Sequence, residues 1–316
     1  MIADAFYIRL LLTALLLLAL GACSTVVRVP VRPGPASSAD VTASGRTAAL
    51  EEAKSGYARV LQRHVNDRGE VDFAALRDDT GDGGLGALER YVTAIAVIPL
   101  DAAPTRDARL AHMVNAYNAL SMYNVIASGI PASHNGFAKV KFFILRKFDI
   151  GGNVMSLYDF ENNIIRKLNE PRVYFALNCS AVSCPLLPRA MFTAEGLDEE
   201  LDREARNFFE RRENLSVDDS QRTVFFNEIL KFYTEDFVPG HAPTLIAYAQ
   251  RYSRQTIPPD FSVAFRPYDW TIANSQRKSL SGITCGIVMW IAARPGTCNC
   301  AMRVVTNAPQ SPPCAT

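Results

Sequence analysis

Apolar residues recur at helical spacing in several segments of the chain. The repeat is clear over 85–98 and clearest over 105–128. Pro104 precedes the second segment and Gly129 follows it, as expected at the start and end of a helix. The pattern therefore predicts helices over both segments, and a further helix in a folded region that begins near Arg46.

The middle of the chain adds shorter elements. Ser156, with Asp159 three residues later, predicts a capping box at the start of a helix that runs through Leu168, and another helix is expected after Thr193. Branched and aromatic runs predict strands at 140–148, 172–177 and 223–226. Together these elements predict an α+β fold over 46–275, namely one helix-rich domain with a small sheet.

The N-terminus has the anatomy of an export signal. An apolar run from Leu10 to Leu20 follows Arg9 and ends in small residues just before Cys23. The run is short for a membrane span, and its end resembles the bacterial lipobox. The sequence thus predicts a lipoprotein signal peptide at 1–22 and lipidation of Cys23. Ser24, by resemblance to lipoprotein sorting rules, favours the outer membrane.

The segments that flank the domain are poor in periodicity. Residues 23–45 are rich in Pro, Ser, Ala and Gly and are expected to form a flexible tether, and 276–316 form a poorly defined tail. We therefore expect a periplasm-facing protein whose membrane contact is its lipid. The formal net charge of +1 argues against nucleic-acid binding. No cofactor or metal is predicted, and a ligand or protein partner remains open.

The candidate chemistry lies in the loop from Asn178 to Pro185, which holds Cys179 and Cys184. Three interpretations are open. Export favours a local disulfide, a nearby base would make one cysteine a nucleophilic thiolate, and both could be free thiols or zinc ligands with tail cysteines. A disulfide between the two would exclude the nucleophile in that form.

A set of motifs along the domain resembles the family known as domain of unknown function 547 (DUF547). These motifs are Gly69–Phe73, Asn115–Leu120, Ser156–Leu157 with Glu161 and Arg166, Pro171–Cys179 with Ser183–Pro185, Tyr233 with Asp236–Phe237, and Tyr268–Trp270. The resemblance implies a papain-like or transglutaminase-like fold, in which a cysteine attacks an acyl carbon and a histidine is the base. Such a likeness of fold does not by itself assign an activity.

The chain departs from that family where the chemistry would lie. Tyr174 stands where the family usually has histidine, and a tyrosine is a poor base near neutral pH. His112, three residues before Asn115 on the predicted helix, is the candidate replacement, although a histidine satisfied by backbone is favoured. Asn115 and Asn118 are candidate orienters of the imidazole, with bonds to backbone favoured.

Other polar residues are weaker candidates. Tyr174, Glu161 and Arg166 could contact a substrate, although ionic or structural contacts are the simpler interpretation of the two charged groups. The remaining histidines are expected at the surface; they are His64, His134 and His241.

Two functional hypotheses follow. The favoured one is an envelope domain that has kept the fold, lost the chemistry at Tyr174, and binds a ligand or partner. The alternative is a cysteine-dependent acyl hydrolase or transferase that acts on a peptide-like bond. Cys179 or Cys184 would be the nucleophile, His112 or another group that the sequence does not reveal would be the base, and Asn115 or Asn118 would orient it.

Overall fold

The computed structural model describes residues 25–27 and 43–276. The predicted signal peptide, Cys23, most of the predicted tether and all but the first residue of the predicted tail lie outside this part of the chain. Within the described residues, no helix is long and apolar enough to cross a membrane.

Four helices form the N-terminal half of the domain. They are α1 (Ala43–His64), α2 (Phe73–Asp78), α3 (Leu85–Val97) and α4 (Arg106–Ala127). The two clearest helix predictions are thus confirmed, and Thr105 caps α4 by accepting a hydrogen bond from the amide of Ala108 at 3.1 Å. The rings of Tyr57 on α1 and Tyr91 on α3 stack at 4.7 Å. Nearly every residue of α4 from Leu110 to Val125 is buried, so α4 is the central helix of the core.

The first sheet has three strands, one before the four helices in the sequence and two after them. A parallel pair connects β1 (Thr25–Val26) to β2 (Arg146–Ile150), which pairs antiparallel with β3 (Asn153–Ser156). The strand predicted at 140–148 is wrong in its first part, because α5 (Phe137–Val140) continues as a π-helical turn through Lys141–Leu145. Packing of Phe142 against the ring of His134, at 4.0 Å, outweighs the strand preference of this aromatic run.

The predicted capping box at Ser156 is confirmed. It opens α6 (Leu157–Asp159), which continues as a π-helix over Phe160–Ile165 and a 3₁₀ turn over Arg166–Leu168. Wide π turns are rare and occur often at functional sites. This one carries Glu161, which is buried.

The strand predicted at 172–177 is wrong. Residues Pro171–Phe175 form a 3₁₀ helix with proline at its start and the side chain of Glu170 accepting from the amide of Arg172. A short apolar run without periodicity fits a buried strand or a buried helical turn equally well, and proline suits the first turn of a helix. Phe175 fills the core between Phe208 and Phe209.

The C-terminal half holds the helix expected after Thr193 and a second sheet. The elements are α7 (Leu197–Phe209), β4 (Leu215–Asp218), β5 (Thr223–Asn227), α8 (Ile229–Phe232), α9 (Thr234–Phe237), α10 (Leu245–Gln250) and β6 (Ser262–Arg266). Strand β5 is central, antiparallel to β4 and parallel to β6. The predicted helix-rich α+β class is confirmed, with two small sheets, while the papain-like likeness stays a prediction.

Candidate functional site

The cysteine loop is fixed to its surroundings by backbone bonds. The amide of Val182 donates to Thr271 at 2.8 Å, and the amide of Ala273 donates to Ser180 at 2.8 Å. Ser180 has a φ of 63°, which the Asn178 side chain supports by accepting from the Ser180 amide. The loop therefore has a defined shape before any contribution from its cysteines.

Cys179 and Cys184 are joined by a disulfide. Both are almost fully buried, and neither is a free thiol in this state. The structure thus selects the disulfide among the three interpretations of the pair, and a thiolate nucleophile would require its reduction. Among the described residues, no group of three or more His, Cys, Asp or Glu side chains is placed to hold a metal ion.

Asn115 and Asn118 on α4 both bind backbone. Asn118 donates to the carbonyl of Ala176 at 3.0 Å and accepts from the amide of Asn178 at 2.8 Å. Asn115 binds both backbone groups of Phe192 in the same way. Their amides position the segments on either side of the cysteine loop, and these four bonds involve no imidazole.

His112 makes no described contact with the cysteine loop. Its Nε2 is buried with no hydrogen-bond partner in the described part of the chain, and burial, with Lys54 of α1 nearby, lowers its pKa to about 4. His134 is the imidazole at the loop instead, since its Nε2 lies 3.0 Å from the carbonyl oxygen of Cys179. The ring therefore engages the backbone and not a sulfur.

The expectation of surface histidines is wrong for His64 and His134, which are buried. His64 bonds to Asp79 at 3.1 Å, and the amide of His134 donates to Trp270 at 2.8 Å. Both contacts join segments that lie apart in the sequence. Local sequence around either histidine carries no signal that would have revealed them.

An aromatic cavity of about 60 Å³ lies against the disulfide. We use this name for the space bordered by four tyrosines, three other aromatic side chains, the aliphatic side chains of Leu177 and Ile229, one carboxylate and both cysteines. The tyrosines are Tyr117, Tyr174, Tyr233 and Tyr268. The other aromatic residues are Phe143, Phe232 and Trp270, and the carboxylate is Glu161. The cavity is therefore mostly aromatic, with one ionisable carboxyl group in its wall.

Glu161 is the buried acid of this cavity. One of its carboxylate oxygens accepts from Tyr117 at 2.8 Å and the other accepts from Tyr233. Burial raises the pKa of Glu161, although these two bonds and the charge of Arg166 oppose the rise. A carboxylate has about four acceptor positions, so two remain for another donor.

Arg166 supports the cavity from outside its lining. Its guanidinium forks onto Asp236, with Nε to Oδ2 at 2.8 Å and Nη2 to Oδ1 at 3.0 Å, and it also pairs with Glu235 at 2.9 Å. Asp236 accepts in turn from the hydroxyl of Tyr174, whose ring stacks on Tyr233 at 3.9 Å. This chain of contacts fixes two walls of the cavity.

Tyr174 is a hydrogen-bond donor in this structure. Burial, together with the bond to Asp236 and its charge, raises the pKa of Tyr174 well above its ordinary value. The hydroxyl therefore keeps its proton near neutral pH. In this state the hydroxyl donates to Asp236.

Lys139 lies at the edge of the cavity, with its ammonium 3.6 Å from the ring centre of Trp270 and 5.8 Å from that of Phe232. Partial burial lowers the pKa of Lys139, while the charge of Glu228 opposes the change. This contact shows that the aromatic face accepts a cation.

A second, polar cleft of about 430 Å³ also borders Cys184. Its charged lining residues are Asp67, Arg68, Glu70, Arg211 and Glu213. Cys184 borders both spaces, whereas Cys179 borders only the aromatic cavity. Cys184 is thus the residue that the linings of the two spaces share.

Buried His134 makes the site sensitive to acid. Burial lowers the pKa of His134 to about 4, so between pH 6.5 and 4 the unfolded chain binds more protons and stability falls as pH falls. We expect His134 to cost about 2 kcal/mol of unfolding free energy between pH 7 and pH 5. Urea titrations of wild type and His134→Gln at both pH values should show a smaller acid loss in the variant. An equal acid loss in His134→Gln, with His241→Gln as control, would refute this assignment.

Comparison with known proteins gives one family match. Residues 102–209 match the model of a family described as "Protein of unknown function, DUF547". The matched segment extends from just before α4 to the end of α7 and includes the cysteine loop and Glu161, so it supports the resemblance inferred from the motifs over this part of the chain. No curated protein and no solved structure matches the chain.

Proposed function

We propose that this chain, whose residues 102–209 carry the DUF547 match, is an envelope lipoprotein that binds a small cationic ligand in the aromatic cavity. The observation that carries the proposal is the convergence of the motif segments. From residue 115 onward, each segment that carries the family resemblance contributes at least one residue to the wall of this cavity. Segments that are spread over more than 150 positions of the sequence thus line the same small cavity.

The chemistry of the wall favours an amino group over an anion. Glu161 is the carboxylate among the lining residues, whereas the guanidinium of Arg166 lies outside the lining and is already paired with Asp236 and Glu235. The ammonium of Lys139, at the edge of the cavity, lies on the face of Trp270. Aromatic faces attract cations through their quadrupoles, and a cation would make the ionised form of buried Glu161 less costly. Lys139 on Trp270 is an internal example of this recognition.

The size of the cavity limits the ligand. A space of about 60 Å³ holds a few water-sized groups, which suits an ammonium head and a short alkyl stem. Larger parts of a ligand would project past Lys139 and Trp270. The head group therefore determines selectivity.

The location rests on the N-terminal sequence. The lipobox-like end at Cys23 supports export and lipidation, and a lipid with two or more acyl chains anchors a protein stably. Thr25–Val26 pair with β2 only two residues after Cys23. With this pairing, the domain would lie close to the membrane surface.

Cysteine-dependent acyl transfer is the weaker proposal. The disulfide occupies both thiols, and the imidazole at the loop bonds to a carbonyl oxygen. Acyl transfer would require reduction of the disulfide and a base from outside these contacts.

Trp270 provides the reporter for a binding test. The chain has two tryptophans, so Trp290→Phe leaves Trp270 as the only indole. In that background we expect n-butylammonium to change the emission saturably, whereas n-butyrate and n-butanol at the same concentrations should not. Butyrate binding as tightly as the amine would contradict the proposed ligand class.

Glu161→Gln is expected to weaken butylammonium binding at least about tenfold, because it removes the buried charge that faces the ammonium. The matched control is Glu204→Gln, since Glu204 is equally buried but lies on α7, outside the cavity lining. Near-UV circular dichroism checks that both variants fold. Unchanged affinity in folded Glu161→Gln would refute the role of this carboxylate.

A further inference from the structure

The two sulfurs of the disulfide have unequal hydrogen-bond donors. Cys184 Sγ accepts from the amide of Cys179 at 3.1 Å and from the hydroxyl of Tyr268 at 3.0 Å. Within the part of the chain that the structure describes, Cys179 Sγ has one such neighbour, the same hydroxyl, at 3.7 Å. Because a phenol has one proton to donate, the shorter contact places it on Cys184.

This asymmetry has a chemical consequence. In thiol–disulfide exchange one sulfur is attacked and the other leaves with the electron pair, and the more stable thiolate leaves faster. Two donors at Cys184 stabilise negative charge on that sulfur. Burial, with a smaller effect from the charge of Glu161, raises the pKa of Tyr268, so the phenol keeps the proton that it donates.

We propose that the Cys179–Cys184 disulfide is a redox-active site that accepts two electrons from a small dithiol, with Cys179 as the attacked sulfur and Cys184 as the leaving thiolate. Cys179 borders the aromatic cavity, which provides the approach. Cys184 also borders the polar cleft, which Cys179 does not line.

Reduction of the disulfide takes two exchange steps. A thiolate of the dithiol bonds to Cys179 Sγ, the Sγ–Sγ bond breaks, and its electron pair stays on Cys184. The second thiolate of the dithiol then attacks the reagent sulfur of the mixed disulfide. This step releases the oxidised, cyclic dithiol and leaves Cys179 as a thiolate that takes a proton from solvent.

The loop is built to keep its shape through this cycle. Asn178 donates to the carbonyl of Pro185 at 2.7 Å, Asn227 donates to that of Ser183 at 3.0 Å, and the amide of Asp269 donates to the Ser183 hydroxyl at 2.8 Å. These bonds are independent of the Sγ–Sγ bond. We therefore expect the loop to keep its shape when the disulfide is reduced.

The first test uses the full chain and dithiothreitol. Cleavage by trypsin after Arg172 and Arg189 places both cysteines in one peptide, 173–189, separate from the cysteines of the tail. After incubation with dithiothreitol and a maleimide quench, this peptide should gain two labels while near-UV circular dichroism stays native. Labelling that requires denaturant would show a purely structural disulfide and overturn the proposal.

The second test asks which sulfur is the better leaving group. The reduced chain is alkylated with limiting iodoacetamide across a pH series, and fragmentation of peptide 173–189 assigns each label. The rate at Cys184 should rise with a midpoint at least about one pH unit below that at Cys179. Coincident midpoints, or a lower one at Cys179, would overturn the assignment of the leaving sulfur.

Tyr268→Phe isolates the contribution of the phenol. We expect the Cys184 midpoint to move up by about one pH unit and the Cys179 midpoint to stay in place. Tyr123→Phe, at a buried tyrosine of α4, is the matched control and should move neither midpoint. An unchanged Cys184 midpoint in folded Tyr268→Phe would refute the donor role. These tests use no amine. A negative result would therefore count against the redox proposal and leave the proposed amine binding unaffected.

Discussion

Asn118→Ala is expected to lower the free energy of unfolding by about 3 kcal/mol. The substitution leaves the carbonyl of Ala176 and the amide of Asn178 without their partner, and Asn118 is almost fully buried. An unsatisfied buried backbone group costs about 1 to 3 kcal/mol, and alanine also leaves a small void. Urea denaturation followed by circular dichroism gives the difference.

The control for this prediction is Asn135→Ala, because Asn135 is exposed. We expect a change within about 0.5 kcal/mol there. A loss below about 1 kcal/mol in Asn118→Ala would mean that the segment after the 3₁₀ helix is held by other contacts. The side-chain amide of Asn118 would then not determine the position of the cysteine loop.

Arg166→Ala is expected to cost about 2.5 kcal/mol of stability and to weaken ligand binding. The change removes both hydrogen bonds from the guanidinium to Asp236. Among the described residues, the half-buried carboxylate of Asp236 then keeps only the hydrogen bond from the Tyr174 hydroxyl. Tyr174 stacks on Tyr233, which binds Glu161, so a shift of Tyr174 disturbs the cavity wall.

The matched control is Arg206→Ala. Arg206 pairs with Asp202 at 3.3 Å on the exposed face of α7, and a surface pair of this kind contributes about 0.5 kcal/mol or less. Equal stability losses in the two variants, or a stable Arg166→Ala that binds butylammonium as tightly as wild type, would contradict the supporting role of Arg166. Unfolding titrations and Trp270 emission measure the two effects.

The long helices are predictable because their signals are local. The apolar repeat of α4 and its cap at Thr105 lie within one segment, as does the capping box at Ser156. The 3₁₀ helix at Pro171–Phe175 resembles a strand in sequence because its five residues contain no period. Its conformation depends on Phe175 reaching the core, and this contact comes from α7.

The site is predictable only in part. Motifs identify the cysteine loop and Glu161, and the export signal makes a disulfide a serious alternative to a free thiolate. The contacts that define the cavity are long-range: Tyr233 meets Glu161 across 72 positions, and Tyr268 meets Cys184 across 84. No local pattern encodes such pairs, so sequence reasoning misses the hydroxyl at the disulfide and the buried imidazole of His134.

The position of His112 has a related explanation. Its spacing from Asn115 correctly places both on α4, but helical spacing does not tell which neighbour a face will meet. Asn115 binds the backbone of Phe192, whereas the charge of Lys54 on α1 helps to lower the pKa of His112. Shared position on a helix is therefore insufficient evidence for a shared site.

Intermolecular nuclear Overhauser effects between n-butylammonium and the protein test the central claim most directly. We expect contacts from the methylene protons of the amine to the ring protons of Trp270 and Tyr233, and we expect Glu161→Gln to lose these contacts. Contacts confined to residues of the polar cleft, or none at amine concentrations that saturate the Trp270 signal, would contradict ligand binding in the aromatic cavity.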